Sequence, residues 1–404
     1  MSPRFLQIHT LTAYPAALLN RDDAGFAKRI TFGGVPRTRI SSQCLKRHWR
    51  TYDGEGSLKQ LEAPESIRSR LTFERFVLQP LLEEGVNADL ARAVIQKLMV
   101  AVLGESAKAR REREAADADT AELRTGQVTV LGRPEVEFLL GEARELCAVA
   151  AGPQQVNAAF DARYGRDGKL NLKTIGLAAG LDAALFGRMV TSDALARGDA
   201  AVHVAHAFTV HQGAFEDDYF SAVDDLLQGE DEELGSGHIG TTELTSGLYY
   251  GYLVVDVPLL VSNLEGVERS NWQEADRTLA GRVVESLVHL VATVSPGAKL
   301  GSTAPYAYAH MVAIEAGNAQ PRTLANAFLT PVRERPDLVA NTYDALARYV
   351  QETDLMYGVR TERRLSAVAA GDLGDAIGAG APMPLAELAA WARDLVQQEV
   401  AWTS

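Results

Sequence analysis

Between Asn20 and Arg50 the chain concentrates groups that bind anions. Residues 21–50 hold eight Lys/Arg (Arg21, Lys28, Arg29, Arg37, Arg39, Lys46, Arg47, Arg50) against Asp22 and Asp23, a local balance of +6. A helix opening at Ser41-Ser42 and running through Arg50 places Gln43, Lys46, Arg47 and Arg50 at i, i+3, i+4 and i+7, on one face. Leu45 and Trp49, four apart, fall on another face and would anchor the helix to a sheet. Serine hydroxyls at a helix start meet the unpaired N–H groups of the first turn, and a basic stripe behind them completes a seat for phosphates. The plain alternative is an N-capped surface helix whose bases are merely solvated. The bases just upstream, on a loop with Gly33-Gly34 that brings backbone close to a ligand, favour phosphate binding.

Other chemistry is weaker. No phosphate-binding G-x-x-x-x-G-K-[ST], dinucleotide G-x-G-x-x-G, zinc H-E-x-x-H or hydrolase G-x-S-x-G motif occurs. His203, His206 and His211 invite a metal site. On a strand, however, residues 203 and 206 point to opposite faces and no acid lies between them, so structural histidines are expected. Asp22 and Asp23 could serve metal-assisted phosphodiester cleavage, although a turn or salt-bridge role suits their place in a basic loop better.

These residues need elements to hold them. Phe5–Tyr14 reads as a first strand with Leu6, Ile8 and Tyr14 on one face; a polar loop follows to Arg39, then the Ser41–Arg50 helix. Residues 57–185 read as mostly helical, with an apolar stripe (Leu90, Ala93, Val94, Leu98, Ala101, Val102) stopped by Gly104. Ala201–Val210 resumes a strand. From Glu216 to Glu233 there are nine acids and no base, which predicts a protruding, solvated loop or hairpin. Leu248–Val257 is a tyrosine-rich strand, Trp272–Val294 an amphipathic helix and His310–Glu315 a final strand. The order is that of a split βαβ, ferredoxin-like or RNA-recognition sheet, an α+β fold.

The chain has 404 residues, enough for a sizeable core, and a net charge of −13. Taken whole, that charge argues against a partner such as nucleic acid or an anionic membrane. It divides into +6 over residues 21–50 and −19 elsewhere (32 bases, 51 acids), so one basic strip lies on an acidic body. Cys44 and Cys147 are too few for a disulfide framework or a Cys-based zinc site, and a reducing, cytoplasmic setting is expected. The N-terminal residues lack the apolar core of a secretory signal. The most apolar window, Leu248–Leu260, is broken by Asp256 and Pro258 and is too short to span a membrane.

A set of ordered blocks makes the sequence specific. Leu19-Asn20-Arg21-Asp22-Asp23, Phe32-Gly33-Gly34, Arg39-Ile40-Ser41-Ser42-Gln43 and Leu45-Lys46-Arg47 are followed by Gly187-Arg188-Met189, Ala205-His206-Ala207 and Thr209-Val210-His211-Gln212. Phe220-Ser221-Ala222-Val223-Asp224-Asp225, Gly237-His238-Ile239-Gly240-Thr241, Ser246-Gly247, Pro296-Gly297-Ala298-Lys299 and Asn326-Ala327-Phe328 continue the series. Together they resemble the backbone subunit of the type I-E CRISPR surveillance complex, Cascade (the CasC family, of the RAMP superfamily), from residue 8 to about 330.

The resemblance implies an RNA-recognition-like palm, split between residues 1–56 and 187–404, with helical fingers over 57–186 and a thumb hairpin at about 212–246. It implies a non-catalytic scaffold that tiles, with further copies of itself in a helical array and with other Cascade subunits, along a CRISPR guide RNA. The guide then pairs with target DNA, and pairing rather than protein carries the specificity. By the same resemblance Arg21, Lys28, Ser41, Ser42, Gln43, Lys46, Arg47 and Arg50 hold guide phosphates. The family has a lysine where this chain has Arg50, which keeps the charge and changes the donor geometry. Met189 packs on a displaced base, and Tyr219 and Phe220 wedge against kinked nucleotides, as aromatic rings do with any base. Arg163, Arg166, Lys169 and Lys173 are the candidates for target DNA. No metal or other cofactor is expected. The competing reading is a metal-dependent endoribonuclease using Asp22 or Asp23, as in related type III backbone proteins.

Overall fold

The computed structural model describes residues 2–103, 123–125, 128–165, 179–188, 198–223 and 236–397. Its first half contains β1 (Phe5–Ala17), β2 (Arg29–Phe32), β3 (Val35–Ile40), α1 (Ser42–Thr51), β4 (Ser66–Ser69), α2 (Gln79–Glu83), α3 (Ala88–Leu103), β5 (Thr129–Gly132), α4 (Arg133–Val149), α5 (Val156–Tyr164) and α6 (Leu181–Phe186). There follow β6 (Val202–Val204), β7 (Ala207–Thr209), β8 (Ala214–Val223), β9 (Ser236–Asp256), α7 (Val257–Glu265), α8 (Thr278–Thr293), α9 (Leu300–Thr303), β10 (Met311–Gly317), α10 (Leu338–Tyr357), β11 (Thr361–Ala367), α11 (Leu373–Ala376) and α12 (Leu385–Gln397). The fold is mixed helix and antiparallel sheet, α+β. Two compact units arise: one from residues 1–61, 203–257 and 277–404, the other from 62–202 and 258–276.

The first unit is built on a sheet in the order β11-β10-β1-β9-β7-β3-β2, with β8 paired to the far half of β9. β1 is central, running antiparallel to β10 (Phe5↔Gly317 to Leu11↔Met311) and to β9 (Phe5↔Asp256 to Tyr14↔Gly247). Both faces of this sheet are covered. On one face α1 and α8 lie over Thr10, Thr12, Tyr249 and Leu253, leaving a cavity of about 40 Å³ between Trp49, Leu45 and Val291, room for about one water. On the other, Leu11, Tyr250, Met311 and Leu365 pack beneath Phe328 and beneath Tyr343, Leu346 and Val350 of α10.

The second unit has its own apolar core, in which Phe73, Leu81, Leu98, Leu131, Leu139 and Phe160 meet. α3 starts where Asn87 Oδ1 accepts the N–H groups of Asp89 and Leu90, at 3.0 and 3.1 Å. Asn and Asp are favoured at such a cap because they satisfy first-turn amides. A short π-helix, Glu74–Leu78, precedes α2.

Several expectations need correction. The supposed loop before Arg39 is the β2–β3 hairpin, turned at Gly33 and Gly34 with φ of +63° and +81°. The strand expected over 201–210 is two short strands, β6 and β7, with His206 between them. The tyrosine-rich strand begins at Ser236, not Leu248, because β8 extends the pairing outward. The helix expected from Trp272 starts at Thr278, after a 3₁₀ turn at Arg269–Asn271. β10 is not the last strand, since β11 pairs with it. The helical segment 57–185 also contains the β4–β5 pair.

Candidate nucleic-acid interface

The α1 stripe forms as its spacing predicts. Ser41 is the N-cap, extended at φ −70° and ψ 146°, and its Oγ accepts the Cys44 N–H at 3.3 Å. Leu45 and Trp49 are buried, which turns Gln43 and Arg47 outward and leaves Lys46 and Arg50 half-buried beside them. Asn20 ties the upstream loop to this helix: its Oδ1 accepts the Ser41 N–H (2.9 Å) and its carbonyl accepts the Lys28 N–H (3.0 Å). The Lys28 carbonyl in turn accepts the Arg39 N–H at 2.7 Å. Lys28, Arg39 and the start of α1 are therefore held in one place, with Arg21 on the loop between them.

The first-turn amides are not all open, however. Ser42 N–H donates to Nδ1 of His206 at 2.9 Å, because β3 and β7 pair Ile40 with Ala207 and so set Ser41-Ser42 beside His206. His206 is itself exposed, and its pKa is lowered by partial burial and by the nearby charges of Arg39 and Lys28. The Nε of Arg39 is enclosed and has no hydrogen-bond partner among the described residues. Cys44 is free, and burial pushes its thiol pKa up despite Lys28 and Arg47, so it is not a ready nucleophile.

Two of the eight bases are engaged within the protein, Arg37 in the interior and Arg29 at the surface. Arg37 is fully buried and donates to the carbonyls of Phe32, Thr209 and Phe328 at 3.2, 3.0 and 2.9 Å, and burial lowers its pKa. Arg29 lies 3.7 Å over the Phe215 ring and pairs with Glu243. Glu243 also accepts the Ala27 N–H at 2.8 Å, so this buried acid of β9 fastens the basic loop to the hairpin strand. Asp22 shapes that loop: its Oδ1 accepts the Phe26 N–H at 2.9 Å, while Asp23 is exposed. Among the described residues no group of three or more His, Cys, Asp or Glu is placed to hold a metal ion.

The remaining candidates lie elsewhere. Tyr219 is 64% exposed on β8, opposite Thr241, and Phe220 follows opposite Gly240. Met189, Arg166, Lys169 and Lys173 lie outside the described residues. Arg163 does not stand clear as a DNA ligand: Glu142 and Glu145 hold its guanidinium at 2.6 and 2.7 Å, and the Glu142 bond leads the effects that push its pKa up. His211 is structural, with Nε2 accepting the Leu248 N–H and Nδ1–H donating to the Gln212 carbonyl. Residue spacing gives no sign that His206 lies beside the Ser41-Ser42 turn. The β3–β7 register sets it there.

No helix of the described residues is long and apolar enough to cross a membrane. No curated protein matches the chain. Among solved structures it is similar over 97% of its length, and over all of the other chain, to a component of a CRISPR RNA-guided surveillance complex in a pre-nicking state, at 25% identity and a TM-score of 0.75. A component of a second CRISPR RNA-guided surveillance complex shares the fold at 21% identity, with a TM-score of 0.55 and coverage of 96% of this chain and 98% of that one. A family model described as CT1975-like protein matches residues 6–391, from the second residue of β1 into α12. With nearly its whole length so matched, the chain belongs to the CT1975-like protein family.

Proposed function

We propose that this chain is a non-catalytic, RNA-binding backbone subunit of a type I-E CRISPR surveillance complex, tiling along the guide RNA and presenting it for pairing with target DNA. The observation that carries this reading is the basic strip of α1 and its loop, where Asn20 ties Lys28 to the Ser41 cap, Arg21 lies on the same loop, and Gln43, Lys46, Arg47 and Arg50 follow along the helix. It occurs in a chain similar from end to end to a component of an RNA-guided complex. Phosphate contacts of this kind fix register without reading bases, as a scaffold for arbitrary guides requires.

We read the first unit as the ferredoxin-like palm. Counted along the chain as β1, β7, β9 and β10, its strands lie in the order fourth, first, third, second, with α1 and α8 as the two crossover helices. The second unit is then the fingers, and the β8–β9 hairpin is the thumb that carries Tyr219 and Phe220 to the RNA.

Native mass spectrometry of the purified protein with its co-purifying nucleic acid tests the scaffold. Several copies on one RNA are expected, and an RNA-free monomer would overturn it. The enzyme alternative predicts regularly spaced cleavage of complementary RNA in Mg²⁺, lost on Asp22→Ala. The turn that Asp22 holds supports a structural role for that carboxylate, so intact RNA is the expected outcome.

A further inference from the structure

His206 is the group near the α1 seat whose chemistry is fully specified. A backbone amide can only donate, so the Ser42 N–H at 2.9 Å requires Nδ1 to be the unprotonated, accepting nitrogen. The neutral ring therefore carries its proton on Nε2. The ring is exposed, so that N–H is available as a donor. Its neighbours are Lys28 and Arg39, both cations, which disfavour a second proton on the ring. Both side chains add positive charge beside the exposed Nε2–H. The exposed Nε2–H and the charges of Lys28 and Arg39 thus lie near one another beside the helix start, and an anion suits them.

We propose that His206, Lys28 and Arg39 form a phosphodiester seat, in which neutral His206 donates Nε2–H to a phosphate oxygen of single-stranded RNA while the Ser42 amide fixes the ring's tautomer. This rests on the RNA-binding reading above and adds two residues to it. It also reassigns Ser42: its amide positions the imidazole instead of touching the phosphate. A neutral donor binds a phosphate oxygen without displacing a counterion, whereas a lysine or arginine displaces one.

That difference gives the test. The full-length protein is titrated with a short single-stranded RNA of mixed sequence over a range of salt, as wild type, His206→Ala, His206→Gln and Lys46→Ala, with melting curves to establish folding. His206→Ala is expected to weaken binding about tenfold with an unchanged log-salt slope. His206→Gln, which keeps a donor near the Nε2 position, is expected to recover most of that loss. Lys46→Ala should instead flatten the slope. Unchanged affinity in His206→Ala, with Lys46→Ala impaired, would overturn the His206 seat while leaving the RNA-binding reading intact. A flattened slope in His206→Ala would equally overturn it, because the ring would then bind as a cation. Wild-type protein with no salt-dependent RNA binding would overturn the underlying reading instead.

Discussion

Arg188 and Glu135 form a two-pronged ion pair inside the second unit, at 2.6 and 2.7 Å, with neither side chain exposed. Glu135 also accepts the Gly132 N–H at 3.0 Å, and Arg188 reaches the Val130 carbonyl, so the pair joins the start of α4 to β5. Breaking it should be costly. Glu135→Ala leaves a buried guanidinium without its counter-charge, and a loss of about 3–5 kcal/mol is expected in chemical denaturation. Replacing both partners by Met should cost less than the single change. Equal stability of Glu135→Ala and wild type would remove the pair from the account.

Glu315 sets an acid limit on the first unit. Burial alone would raise its pKa, but the imidazole of His9 at 3.4 Å and the guanidiniums of Arg322 and Arg363 outweigh it, lowering the value from 4.5 to about 2. A carboxylate with a depressed folded-state pKa contributes stability above its unfolded value and loses it as pH falls toward the folded one. The first unit should therefore weaken between about pH 4.5 and pH 2, and Glu315→Gln should flatten that part of the profile. Melting followed across this range checks it.

Gly33 is a backbone requirement of the basic hairpin. At φ +63° it sits where an added Cβ would fall 1.6 Å from the Leu329 carbonyl oxygen. Gly33→Ala should cost more than about 1 kcal/mol and shift the β2–β3 tip, which Arg37 also ties to the Phe328 carbonyl. A melting temperature equal to wild type would show that the tip yields freely.

On the proposed reading, Lys46 is the charge control for RNA binding. Lys46→Ala should weaken binding to every RNA sequence alike and reduce the log-salt slope by about 0.7 to 1. An unchanged slope would take Lys46 off the phosphate path.

The features that depend on local spacing were legible. The α1 stripe, its Ser41 cap and the Leu45/Trp49 anchor need only the helical period. So does most of α3, although Leu90, Ala93 and Ala101 lie at the margin of the core and Ala91, Ile95 and Met99 fill it. The acidic stretch marked the hairpin because charge of one sign avoids burial. What escaped depended on partners far along the chain. Nothing near Arg37 distinguishes it from Arg39; the carbonyls of Thr209 and Phe328, distant in sequence, decide which one goes inside. β11 was hidden because its inward face carries Arg363, matched to Glu315 and Asp354, in place of an apolar residue. His206 was read by residue spacing alone, and its register against Ser42 is a property of the sheet.

The sheet of the first unit is roofed on the face that carries His9 and Tyr250. In RNA-recognition domains, aromatic rings on that surface stack bases and so discriminate among letters. Here the corresponding rings are occupied: His9 stacks on Tyr252 at 5.0 Å and bonds the Tyr250 hydroxyl, while Phe328 and Tyr343 close over them. On the proposed reading, the chain keeps a grip on a polymer and gives up an alphabet. A host can then acquire guides of any composition without altering an amino acid, because on that reading inheritance of new specificity passes entirely through the RNA.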